Sequence, residues 1–328
     1  MHVKYHGRIA CFLMPLALAL LSACGVVTAN SGETLPDGPA VREESKDTAS
    51  DSAHSDKKRE SVLSVRIPEA IGQSVVGTDT VVVDISNVSD GYVMASYTGT
   101  ASDCKMQITV PDGTLYTFTV PQNEYGAFPL SGGNGNYGFE LLEHVQGKSY
   151  AMIHSGDFDV SLKDEYTPFL YPNQYVWYTA DMKAVKLAEE ISDQSADDLD
   201  FVERVYGYVI DHIAYDEAFA ASAPVNYIPE VDKVLESGKG ICMDYAALMA
   251  AMLRSQGIPV KMDIGYSGDA YHAWLSVYIK EQGWVDDVIY FDGSSWSLMD
   301  PTIAASNSSA AVKKYVGDGT NYVLKYCY

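Results

Sequence analysis

Hydrophobic and polar positions change rhythm twice along the chain. The run from Ser45 to Lys58 carries almost no apolar side chains, so it cannot offset the entropy of ordering and reads as a tether. From residue 61 the pattern becomes short runs of β-forming residues: Thr80 to Ile85, Met106 to Val110, Tyr116 to Val120 and Gly138 to Leu142. Asp112-Gly113, Gly132 to Asn136 and Gln146-Gly147 punctuate them as turns. Such spacing predicts an all-β, sandwich-like domain over 61–178, its many tyrosines filling half-buried sheet positions. Near Asp181 the period becomes helical. Met182 to Ile191 shows it, and Asp197 to Ile213 shows it with Leu199, Val202, Val205, Tyr206, Val209 and Ile213 on one stripe. A third helix is predicted from Cys242 to Ser255, ended by Gly257 and Pro259. Four β-like runs follow: Val260 to Tyr266, His272 to Ile279, a weaker one from Trp284 to Tyr290, and Tyr322 to Tyr326. Helical and β-like runs thus share the region 179–328, which is taken as the second domain.

The N-terminus reads as an address. Lys4 and Arg8 precede the apolar run Ile9 to Leu21, which is too short for a comfortable membrane span, so 1–23 reads as a signal peptide. It closes on Leu21-Ser22-Ala23-Cys24, which resembles the lipobox of bacterial lipoproteins. That resemblance implies a lipidated Cys24, a tether over 24–60, and a protein exported to the cell surface and anchored to the bacterial membrane through its lipid.

Charge narrows the partners. The chain has 22 Lys+Arg against 44 Asp+Glu, a net −22, which excludes a nucleic-acid binder in need of a basic face. Of five cysteines, Cys11 leaves with the signal and Cys24 is blocked by lipid, so Cys104, Cys242 and Cys327 remain in an oxidising compartment. A Cys104–Cys327 disulfide beside a reduced Cys242 is the simplest account. Free thiols at 104 and 327 stay open, because nothing in the sequence sets their separation.

One cysteine, one histidine and one aspartate stand in settings that suit catalysis. Cys242 follows Gly238-Lys239-Gly240-Ile241 and opens a helix, where unpaired N–H groups lower a thiol pKa and can hold an oxyanion. Gly240 would let the backbone approach substrate. His272, in Tyr271-His272-Ala273-Trp274, enters a strand-like run and is the natural base. Asp300, before Pro301, can accept the second ring N–H and fix the tautomer. No second His or Cys lies at ligand spacing, so no metal and no cofactor is predicted.

Gly238 to Ala246, Arg254 to Pro259, Gly265-Tyr266, His272-Ala273-Trp274 and Asp300-Pro301-Thr302 together resemble the core of the transglutaminase-like superfamily. The upstream Tyr206 to Asp216, with its Tyr215-Asp216 pair, resembles the helix that usually precedes it. The resemblance covers about 198–305. It implies a papain-like α+β fold, a helix-borne Cys242 as nucleophile on an antiparallel sheet, His272 as general base and Asp300 as orienting acid. The stretch Val285 to Ser297 is a long insert by that comparison, expected as a loop over the cleft. No element of the resemblance supplies a side-chain oxyanion donor.

The function implied is acyl transfer at an amide of a peptide or protein, such as a cell-wall or surface protein. Water as acceptor makes a peptidase or amidase, the favoured reading. A lysine amine makes a cross-linking transglutaminase. The non-enzymatic alternative is a surface binding or adhesion module.

Overall fold

The structure is a computed structural model that describes residues 58–59, 63–267, 270–280, 283–291, 296–298 and 322–328. The predicted signal peptide, Cys24, nearly all of the tether, and Asp300 lie outside the described residues.

Two four-stranded antiparallel sheets come first. One has the order β1 (Val75–Gly77), β2 (Val81–Asp84), β3 (Tyr92–Tyr97), β6 (Gly126–Pro129). The other has the order β5 (Leu115–Thr119), β4 (Cys104–Thr109), β7 (Gly135–Gln146), β8 (Ser149–Val160). Alternation decides the inward faces. Val81 and Val83, Met106 and Ile108, and Tyr137, Phe139 and Leu141 are buried in one core. Tyr92, Tyr97, Tyr116, Tyr137 and Tyr178 fill the interior, while Tyr125 and Tyr150 stay exposed.

The helical layer follows: α1 (Lys183–Ser192), α2 (Asp198–His212), α3 (Glu217–Ala220), α4 (Val231–Ser237) and α5 (Cys242–Ser255). Asp197 caps α2 by accepting the Asp200 N–H at 2.9 Å. α1 takes its cap from another element: both Asp232 carboxylate oxygens, on α4, accept its Lys183 and Ala184 N–H groups at 3.0 Å. α5 is apolar nearly all round and is buried from Asp244 to Ser255, the pattern of a central helix. It packs on α1, α2 and α4 and on a five-stranded sheet. That sheet has the order β14 (Trp296–Leu298), β13 (Gly283–Phe291), β12 (Ala270–Ile279), β11 (Val260–Ser267), β15 (Tyr322–Cys327), all antiparallel. A two-residue parallel bridge joins β9 (Ala214–Tyr215) to β10 (Lys239–Gly240).

Three expectations change here. Cys104, on β4, and Cys327, at the end of β15, are both free thiols, so the expected bridge is not formed. The expected loop from 285 onward is mostly sheet, since β13 and β14 extend the five strands at one edge. Arg59, expected within the tether, packs on the fold: it reaches Asp198, Ser192 and the Gln256 carbonyl, and lies 4.7 Å from the centre of the Phe201 ring.

Candidate active site

The turn that presents Cys242 is built by its neighbours. Gly238 ends α4 in the left-handed region at φ 62°, its N–H bonded to the Val234 carbonyl. The chain then pairs with β9. The Ala214 N–H donates to the Gly238 carbonyl at 2.8 Å and the Asp216 N–H to the Gly240 carbonyl at 2.9 Å. Asp216 also caps α3 through the Phe219 N–H. The Tyr215-Asp216 pair thus anchors the strand that leads into the cysteine.

Asp244, two residues after Cys242, locks the helix start. Its carboxylate accepts the Ile241 N–H at 2.8 Å and the Tyr227 hydroxyl at 2.6 Å. This is the reach-back half of a capping box. It also explains Gly240, where an added Cβ would meet the Asp244 Cβ at 2.6 Å and its carboxylate oxygen at 3.1 Å. Gly240 makes room for the cap, in place of the substrate approach expected from sequence. Burial pushes the Asp244 carboxyl up, while the Tyr227 and Ile241 bonds oppose it.

Cys242 is the first residue of α5 and is half-buried. Its sulfur faces three backbone N–H groups: that of Ala273, that of Met243 and its own. The first is the informative one. The Tyr278 N–H bonds to Pro259 on the β11 side, so the alternating N–H groups from Ala273 onward point toward β13. The described β12–β13 register runs from Ile279↔Gly283 to Leu275↔Ile289 and does not reach Ala273. Its N–H is directed at the Cys242 sulfur, which therefore lies against the main chain one residue from His272.

His272 is buried on β12, the central strand of the sheet rather than an edge. It stands opposite Gly265. A Cβ on Gly265 would meet the Val323 carbonyl oxygen at 2.1 Å, at the irregularity where β15 joins β11. Gly265 therefore makes room for the β15 main chain where it joins β11. The His272 ring stacks on Trp274 at 6.3 Å. Half-exposed Tyr271 and partly buried Tyr215 flank the cysteine, and burial followed by the field of Cys242 raises Tyr215 to about 12. The structure thus brings Cys242 to the His272 segment; Asp300 lies outside the described residues.

The electrostatics differ from the expectation at the helix start. Burial pushes the Cys242 thiol up, and the nearby Asp244 charge adds to this; the three N–H groups oppose it without overcoming it. The balance at Cys242 therefore runs toward the uncharged thiol. Asp244 and Tyr227 were missed as supporting residues, although an acid three residues after a helix cap is a readable signal.

Residues 185–286 match the model of the transglutaminase-like superfamily. A stretch of 121 residues is 29% identical to the uncharacterized protein YebA of Bacillus subtilis, covering 31% of this chain and 16% of that protein. The chain thus spans about a sixth of that relative. Among solved structures, a candidate cysteine protease from Cytophaga hutchinsonii aligns over 78% of this chain and 73% of its own at 14% identity and TM-score 0.34. Legionella pneumophila LapG aligns over 42% of this chain and 93% of its own at 18% identity and TM-score 0.23.

Proposed function

We propose that the transglutaminase-like core of this chain is a thiol acyl-transfer enzyme, with Cys242 as nucleophile, His272 as general base and Asp300 as the acceptor that orients the imidazole. One observation carries this reading: the Cys242 sulfur, at the start of α5, lies against the backbone N–H that follows His272. Burial favours the uncharged thiol, so in this reading the proton leaves the sulfur as attack begins. The imidazole takes it, the sulfur bonds to the amide carbonyl carbon, and the N–H groups of Cys242 and Met243 stabilise the oxyanion. The imidazolium then protonates the departing amine as the C–N bond breaks, leaving a thioester. Water, deprotonated by the imidazole, attacks the thioester to give an acid and the free thiol. Hydrolysis of a peptide or isopeptide amide in a surface or cell-wall protein is the reading we favour; an amine in place of water gives a cross-link. We also propose export and lipid attachment at Cys24, supported by the Leu21-Ser22-Ala23-Cys24 pattern.

The test is a mass measurement. The protein is incubated with a glutamine-containing peptide library and a labelled primary amine. A thioester adduct on Cys242, a peptide acid as product, and loss of both in Cys242→Ala are expected. Amine-labelled product identifies cross-linking instead. Binding of peptide with no adduct and no product would leave a binding module.

A further inference from the structure

A second site lies away from Cys242, in a groove of about 670 Å³ between the loop before β6 and α4. Its apolar lining includes Phe128 and Ile228, and two aromatic side chains sit at its mouth: Tyr125, 45% exposed, and Trp177, 44% exposed. Neither wall is loose. On one side, the Asn123 N–H donates to the Tyr97 carbonyl at 2.8 Å, and Gln122 donates to the Gly99 carbonyl at 3.0 Å. Asn123 itself holds a left-handed φ of 63°, which an asparagine tolerates in a fixed turn. On the other side, α4 buries Val231 and Val234 and is tied to α1 through Asp232.

The charge of the lining chooses the occupant. Glu124, Glu230, Asp232 and Glu236 line the groove, and the neighbouring cations are Lys233, bound to Glu230, and Lys183, bound to Glu236. Asp232 is engaged by the α1 cap and Glu230 and Glu236 by the two lysines, so among the described residues Glu124 is the lining carboxylate without an ion pair, beside two exposed aromatic faces. Carboxylates and aromatic faces together recognise a cation that can stack, which is the chemistry of Lys and Arg side chains. The groove also has a direction. Glu230 and Lys233 line a second hollow of about 260 Å³, which reaches Gly240 and Asp244 beneath the Cys242 turn. A helix of seven residues, as α4 is, spans about 10 Å, the reach of about three extended residues.

We propose that this groove is an exosite for an extended, basic polypeptide segment, holding a Lys or Arg side chain between Tyr125 and Trp177 against Glu124. The site deepens the acyl-transfer reading, because a segment held there can continue along α4 toward Cys242. Binding at the groove does not require that chemistry, so the two are tested apart. The measurement is calorimetric titration of the Cys242→Ala protein with acetyl-Gly-Lys-Gly-Arg-Gly-amide, which no turnover disturbs. Saturable binding is expected, weakening about tenfold between low and high salt because the contacts are exposed. Trp177→Ala and Glu124→Gln should each weaken it about fivefold, with unchanged thermal midpoints, since both side chains are at the surface. The same peptide with Glu in place of Lys and Arg should not bind. Absence of saturable heat overturns the proposal. So does binding unchanged in the Trp177→Ala/Glu124→Gln double variant, or tighter binding of a neutral oligosaccharide than of the basic peptide.

Discussion

At the scale of single residues, Cys242, His272 and the glycines around them were legible because their local settings are short-range. A cysteine after a glycine pair and before a helix can be read without knowing the fold. The state of that cysteine was not legible. A helix start favours a thiolate, but burial is a property of everything packed around it, and burial is the larger effect here. A reactivity prediction follows from that sign. The site favours the uncharged thiol, so thiolate accumulates only above the ordinary cysteine range near about 8.5. Iodoacetamide labelling of Cys242 should therefore be slow at pH 6 and should rise through the alkaline range. Fast labelling at pH 6 would show a preformed thiolate–imidazolium pair and refute the neutral resting state. Asp244 carries a second prediction. Asp244→Ala removes the acceptor of both the buried Ile241 N–H and the Tyr227 hydroxyl, and should cost about 1–3 kcal/mol in denaturant melts. Gly240→Ala pushes a methyl into the same carboxylate, so it should destabilise by about 1–3 kcal/mol and lower turnover by moving the Cys242 turn.

At the scale of elements, periodicity located α1, α2, α5, β11 and β12 well, because each has a strong apolar face. It did not locate the pieces whose partners are remote. β9 and β10 are two residues each and exist only because Asp216 and Gly240 meet. β13 reads weakly because Asp286 and Asp287 interrupt its apolar pattern. Arg59 looked like part of a charged tether, yet its side chain is 10% exposed. It satisfies the Gln256 carbonyl past the end of α5 and pairs with Asp198 in the first turn of α2, so one side chain ties the N-terminal segment to two helices. Arg59→Ala should lower stability by about 1–3 kcal/mol, and Arg59→Lys should recover only part of it, because an ammonium cannot span the three acceptors. A melt in which both variants match the parent would return Arg59 to the tether.

At the scale of the whole molecule, the β-rich region read from sequence up to residue 178 and the region after it share one hydrophobic cluster. The described residues belong to one compact unit, and that cluster runs from Val81 and Phe118 through α5 to Tyr328. The seam is made of specific contacts. The Tyr116 hydroxyl, on β5, accepts the Cys327 N–H at 3.1 Å, and its ring meets those of Tyr326 and Tyr328 edge-on. Arg254, fully buried on α5, donates to the carbonyls of Val260, Tyr171 and Tyr328, which draws the linking segment and the last strand onto the same helix. Burial brings that guanidinium down to about 10, against the opposing fields of Tyr178, Cys327 and Asp263. A seam that is mostly apolar and held at its centre by a buried cation does not open independently of the cores it joins. Calorimetry should show a single unfolding transition for the sandwich and the α5-centred region together. Tyr116→Ala, which touches no residue of the Cys242 turn, should lower that one midpoint by the equivalent of about 3–5 kcal/mol without splitting it. Two resolved transitions, with only the first moved by Tyr116→Ala, would mean that the sandwich is a separate domain and that the groove beside α4 is free to open.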